Sequence, residues 1–345
     1  MRFYKLAATF IALVFIQGCF PSNDLDKKQV HLQGITMGTV GYNVKYIEMP
    51  IEGNKQIPAQ KDVHQGIENI LVKLNQDMSN WIPDSELSKF NAHSSTEPVE
   101  VSEGLRRVIA ESIRLGELSE GKLDVTIGPL INLWGFGPES RPEKVPSDEA
   151  IFQARSRSGI NNLVLNGNML SKGIPNLYVD LSTIAKGYAV DLVAEYLDSI
   201  GAHNYLVEIG GELRAKGFKH TGELWSVAIE RPVTTERAVH QIIIPKDNAI
   251  ATSGDYRKYF ESDGQRFSHL IDPHTGKPIN HKLVSVTVIH PSSMTADGLA
   301  TAMIVMGPDK AYQFAQEHKI AAYLISKTEN GFVEQSTVNF MPYLK

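Results

Sequence analysis

Cysteine is almost missing from this chain: Cys19 is the single one among 345 residues. No internal disulfide can form, and a thiolate metal cluster is excluded. There is no run rich in lysine or arginine, and the formal net charge is -5, which argues against a nucleic-acid surface. No apolar stretch reaches the roughly 20 residues of a comfortable membrane span. Neither a glycine-rich phosphate loop nor a G-x-G-x-x-G turn follows any predicted strand, so the usual nucleotide motifs are absent. The eleven histidines contain no H-E-x-x-H and no other zinc spacing. No internal repeat or heptad pattern is present.

What is there has a globular balance, 42% hydrophobic and 21% charged, enough for one large domain or two modest ones. The first residues read as a targeting segment. Arg2 and Lys5 precede an apolar run from Leu6 to Ile16, and Phe15-Ile16-Gln17-Gly18-Cys19 resembles a bacterial lipobox. That reading gives a signal peptide over 1–18, a lipid-anchored tether over 19–33 beginning at lipidated Cys19, and a folded domain over 34–345. It places the chain on the inner membrane facing the periplasm. A plain secretory signal or an uncleaved anchor is the alternative.

Thr39 to Ile47 alternates and predicts a half-buried strand. Val63, Ile67, Ile70, Leu71, Leu74 and Met78 have helical spacing, and Pro83 stops that helix before Asp84-Ser85 opens a short one. Trp81 lies in the connection; such a ring can stack on a flat ligand, but more often plugs a core. Ser102 caps a helix that ends near Gly121, and Gly121 to Gly137 reads first as a turn-rich core segment. Ser147 caps another helix, and Asn166-Gly167 marks a hairpin. Strands are expected at Tyr205 to Ile209, Trp225 to Glu230, Val239 to Ile244, Phe267 to Ile271, Leu283 to Ile289 and Ala321 to Ile325, with a polar turn over Ile250 to Arg257. A helix runs from Met294 to Met306. The class is α+β: mostly antiparallel sheet with packed helices and room for two lobes.

Chemistry concentrates in two places. Asp180 to Asp191 follows an apolar strand-like run, Leu177 to Val179, and leads into a helix that Ser182 would cap and Gly201 would end. A helix mouth favours an anion such as phosphate, and Lys186 adds a full positive charge. Asp297 and Thr301 stand one helical turn apart, with small Ala300 beside them. Carboxylate, hydroxyl and carbonyl oxygens suit magnesium, although such a pair is also common on plain helix surfaces. His269, inside a predicted strand, can accept a proton near neutral pH; His274 and His281 on nearby loops share that chemistry.

Taken in order, Met37-Gly-Thr, Met78-Ser-x-Trp-x-Pro-x-Ser-Glu, Gly121-x-x-Asp-x-Thr-x-Gly-Pro-Leu with Trp134-Gly-Phe-Gly, Asp180-Leu-Ser-x-Ile-Ala-Lys-Gly-Tyr, Glu208-Ile-Gly-Gly-Glu, Thr252-Ser-Gly-Asp-Tyr, His269-x-Ile-Asp-Pro-x-Thr-Gly and Ala296-Asp-x-x-Ala-Thr resemble the ApbE family of FAD:protein FMN transferases. The resemblance spans roughly residues 34 to 340.

The resemblance implies an enzyme that binds FAD and Mg2+, cleaves the FAD pyrophosphate, joins FMN to a partner's threonine and releases AMP. Implied partners are redox subunits of Nqr- or Rnf-type membrane complexes. Thr183, Asp297 and Thr301 would hold the metal. Met37, Trp81, Lys122, Leu123, Asp124, Asp180, Lys186 and Ile271 would line the flavin site. Some relatives carry Tyr for Trp81, Glu for Lys186, or a second Asp where Ala300 stands. The threonine hydroxyl needs a base, for which His269 is the first candidate and Asp180 or Asp255 the alternatives. Two rival readings are an FAD pyrophosphatase with water as acceptor and a non-catalytic flavin carrier.

Overall fold

Alternating apolar residues become the strands of one sheet. In the computed structural model, which describes residues 28–49, 56–138, 145–232, 239–255, 259–262 and 264–345, eight strands lie side by side in chain order. They are β1 (Lys28–Thr36), β2 (Val40–Glu48), β3 (Tyr205–Ile209), β4 (Glu212–Lys216), β5 (Ala249–Gly254), β6 (Leu283–His290), β7 (Ala321–Thr328) and β8 (Gly331–Ser336). All neighbours pair antiparallel. The signal-like run with Cys19, the linker around Arg141, and Arg257 lie outside the described residues.

The helices are α1 (Gln60–Met78), α2 (Glu86–Ala92), α3 (Glu103–Leu118), α4 (Gly128–Leu133), α5 (Asp148–Arg155), α6 (Ala185–Ser199), α7 (Ser293–Met306) and α8 (Pro308–Glu317). Ser85, Ser102, Ser147 and Ser292 each accept the backbone N–H three residues on, which satisfies an otherwise orphaned helix donor. Apolar faces of α1, α3, α6 and α7 pack on one side of the sheet. The hairpin Val227–Glu230 and Val239–Ile243, with Phe340, covers the other. Strand β7 shows why: Ala322 and Leu324 enter the first core, Tyr323 and Ile325 the second. A smaller cluster joins Ile127, Leu130, Trp134, Ile151, Phe260 and Ile271. The α+β expectation holds.

Several expectations are corrected. Strand β1 begins at Lys28, so residues 28–33 belong to the sheet and not to a tether; its buried residues Val30 and Leu32 alternate with exposed polar ones. Leu177 to Val179 is no strand, apart from one parallel bridge between Tyr178 and Ile127. The Asn91 amide bonds both the N–H and the carbonyl of Val179, at 2.8 Å each, and so takes the place of a strand neighbour. Ser182 caps nothing: α6 starts at Ala185, and the Ser182 N–H donates to Asp180 Oδ1. The expected polar turn from Ile250 to Arg257 is instead the inner strand β5 through Gly254. Its hydroxyls pair, Thr252 with Thr287 at 2.9 Å and Ser253 with Thr301 at 3.1 Å. The run Phe267 to Ile271 breaks at His269-Leu270 into two short strands.

Candidate active site

Helix α7 determines the site. Twelve of its fourteen residues are buried, and Asp297 is its one charged residue. A buried carboxylate needs a counter-charge and hydrogen bonds. Both come from α6. The two helices touch at Gly187, where an added Cβ would fall 2.3 Å from the Ser293 carbonyl oxygen. This contact lets the Gly187 N–H donate to Asp297 Oδ2 at 3.0 Å. The α6 mouth, expected to receive a phosphate, thus holds the carboxylate of α7 in its first turn, where the helix dipole favours it.

Lys186 supplies the charge. Its Nζ stands 3.4 and 3.3 Å from the two Asp297 oxygens and 2.9 Å from Glu212 Oε1. Glu212 opens β4 and is 3% exposed. Burial pushes its carboxyl up to about 7, against the pull of Lys186, and the like charge of Asp297 adds to the rise. Burial also raises Asp297, partly offset by Lys186 and the Gly187 N–H. Burial alone would lower Lys186, but the two carboxylates outweigh it and hold the ammonium above its usual value. Two buried acids share one cation, an arrangement that concentrates at functional sites.

Two hydroxyls belong to the same elements. Thr301, one turn along α7, meets Ser253 of β5 at 3.1 Å. Thr183, just before α6, has a buried Oγ1 with no hydrogen-bond partner, and Glu212 Oε2 is likewise unpartnered. An orphaned buried oxygen fits a hard cation, which takes oxygen donors. Among the described residues, no group of three or more His, Cys, Asp or Glu side chains could hold a metal.

The ApbE family model matches residues 37–324. The chain belongs to the ApbE family. This ApbE chain is 52% identical to the FAD:protein FMN transferase of Vibrio cholerae over 96% of its own length and 97% of the relative's. It is 38% identical to that of Escherichia coli over 100% of its own length and 98% of the relative's. The solved flavin transferase ApbE from Vibrio cholerae superposes with a TM-score of 0.85 at 52% identity, covering 92% of this chain and 100% of that one. The apo flavinyl transferase ApbE of Pseudomonas stutzeri gives 0.84 at 41% identity, covering 92% of this chain and 97% of that one.

In this ApbE chain the residues expected at the site fall into two groups. Lys186 and Asp297 are in direct contact, with Thr301 on α7 and Thr183 just before α6. Trp81 is 70% exposed, so its ring does not plug the core. Met37 sits at the β1–β2 turn with a φ of 47°, next to Gly38. Asp180 is buried, with its N–H on the Val125 carbonyl at 2.7 Å.

The second group is tied up by its own surroundings. Lys122 pairs with Asp272 at 3.0 Å. Asp124 accepts from the Thr126 N–H at 2.7 Å, the Thr126 hydroxyl at 2.6 Å and the Ile160 N–H at 3.1 Å, while burial raises its carboxyl. It borders a cavity of about 670 Å³ with Gly121, Arg155 and His274; Lys186, Asp297 and Thr301 are not among the residues lining it. Leu123 and Ile271 are 1% and 3% exposed, with side chains in the main core and in the smaller cluster, so only their backbone could meet a ligand. His269 is half-buried and stands edge-on to Phe136, with ring centroids 6.3 Å apart. Asp255 has a buried, unpartnered Oδ1, and burial raises it.

Glu212 is the residue that sequence reasoning missed as a site member. Its signal was the glycine pair before it. Gly210, at φ +62°, leaves no room for a side chain: an added Cβ would lie 2.8 Å from Val40 Cγ1 and 3.4 Å from Lys186 Cδ.

Proposed function

We propose that this chain transfers FMN from FAD to a threonine hydroxyl of a partner redox protein, with Mg2+. The observation that carries the reading is the buried Asp297–Lys186–Glu212 cluster at the first turn of α6, in a chain whose relatives are named FAD:protein FMN transferases. Asp297, Thr301 and the orphaned Thr183 hydroxyl offer oxygens for the cation. When bound, Mg2+ supplies charge that draws electron density from the pyrophosphate.

The remaining roles belong to side chains. Lys186, above its usual pKa, stays charged and neutralises phosphate oxygens. The exposed Trp81 ring stacks on a flat ring of FAD. The threonine oxygen forms a bond to the FMN phosphorus as the bridge to AMP breaks. The threonine proton passes to a base, for which His269 is the first choice. AMP departs with the bridging oxygen. Acceptors of the Nqr or Rnf type, and anchoring through lipidated Cys19 on the periplasmic side of the inner membrane, complete the reading.

The test combines purified protein, FAD, Mg2+ and a recombinant acceptor subunit. The acceptor should gain one FMN phosphoester on threonine, with one AMP released per FMN attached. AMP released at the same rate without acceptor would make the enzyme a pyrophosphatase instead.

A further inference from the structure

The ammonium of Lys186 stands within 3.4 Å of both Asp297 oxygens, the atoms that would receive a divalent cation. Its closest partner, however, is Glu212, at 2.9 Å against 3.3 and 3.4 Å to Asp297. Glu212 is nine-tenths buried or more, and its Oε2 has no partner. The backbone of Gly210 packs close to both side chains: a Cβ there would lie 3.4 Å from Lys186 Cδ and 3.8 Å from Glu212 Oε2. An ammonium and a divalent ion on one carboxylate repel strongly at such range. The two therefore compete for Asp297.

We propose that Glu212 is a positioning residue: it is the anchor onto which Lys186 withdraws when Asp297 takes up the divalent cation. Lys186 is then the counter-ion of Asp297 whenever no divalent cation is bound. It keeps the buried Asp297 neutralised until the metal replaces it, and Glu212 keeps the released ammonium beside the site. No bond is made or broken, and only ionic contacts exchange. The inference rests on the reading that Asp297 is a metal ligand.

The experiment measures Mn2+ binding by the electron paramagnetic resonance of free Mn2+, without FAD or acceptor, on the full chain. Lys186→Met should tighten Mn2+ binding about tenfold, and Glu212→Gln should weaken it about tenfold. Simple charge effects alone predict those two signs, so the double variant decides. If Glu212 acts through Lys186, Glu212→Gln changes nothing once Lys186 is Met. An equal tenfold loss in both backgrounds overturns the proposal.

Glu212→Asp keeps the anchoring charge and should restore most of the affinity; affinity as low as that of Glu212→Gln counts against the anchor. Should Lys186→Met fail to fold, the same cycle is run with Lys186→Gln. Asp297→Asn separates the two readings: wild-type Mn2+ affinity in that variant removes the metal-ligand assignment itself, whatever the cycle shows.

Discussion

The guanidinium of Arg214 lies 2.7 Å from Asp191 Oδ1, and this pair ties together the three elements that build the site. Asp191 belongs to α6 and also accepts from the backbone N–H groups of Ser293 and Met294 at 3.0 Å each and from the Ser292 hydroxyl at 2.7 Å. Arg214 belongs to β4, the strand opened by Glu212. One carboxylate therefore fixes the start of α7 against α6 and against β4.

Removing that carboxylate strands several buried donors at once. Asp191→Ala leaves Arg214 without this partner and the Ser293 and Met294 N–H groups without their acceptor. The expected loss is about 3–5 kcal/mol, measured as a lower urea midpoint with unchanged slope. Asp191→Asn retains an acceptor oxygen and should lose less. A loss below about 1 kcal/mol for the alanine variant would show that the cap and ion pair do not hold the helices.

Trp81 should divide stability from binding. Its side chain is largely in solvent, whereas Trp134 and Trp225 are 2% and 4% exposed. Trp81→Ala should leave the unfolding midpoint unchanged and raise the KM for FAD about tenfold, with kcat nearly constant. Quenching of tryptophan fluorescence by added FAD should shrink markedly in the variant. A large drop in melting temperature would show that the ring is packed after all.

Much of this fold is legible because burial imposes a period. Val40, Tyr42, Val44 and Tyr46 alternate since one face of β2 meets the core, and Val63 to Met78 repeats at helical spacing for the same reason. Strand β5 escaped because small Ala251 and the half-buried polar residues Thr252 and Ser253 follow Ile250; the two hydroxyls pair with Thr287 and Thr301, partners that no local pattern shows. Leu177 to Val179 misled for the opposite reason: the apolar run is genuine, but a side-chain amide holds its backbone. At the site, the charged pair of Lys186 and Asp297 was readable as two separate motifs. Glu212 was not, since its role depends on the β3–β4 turn bringing it to α6, a long-range fact.

Lys172 offers a pH test away from the site. It is 2% exposed and donates to the carbonyls of Asn91 at 2.9 Å and His93 at 2.7 Å, with no carboxylate in contact among the described residues. Burial lowers its pKa from 10.5 to about 8. Between those values the unfolded chain binds more protons than the folded one, so stability rises with pH across the window from about 8 to 10.5. Below about 8 the cost of holding the charged form is present in full. Chemical unfolding at several pH values should show wild type gaining on Lys172→Met as pH climbs through that window. A constant difference between the two would mean that the lysine titrates alike in both states.

Thr183 provides the test of the proposed metal site that is least confounded by folding. Its Oγ1 is buried and makes no hydrogen bond to the described residues. Thr183→Val replaces that hydroxyl with a methyl of the same shape, so the metal-free protein should be unchanged or more stable by up to about 1 kcal/mol. With Mg2+ the order should reverse. A cation that uses the hydroxyl loses a ligand, binds about tenfold more weakly, and so stabilises the variant by about 1.4 kcal/mol less at the same excess of ion. Paired melting curves with and without Mg2+ measure both effects on the same samples. If Mg2+ raises the melting temperature equally in both proteins, Thr183 is not a ligand, and its unpartnered oxygen needs another explanation.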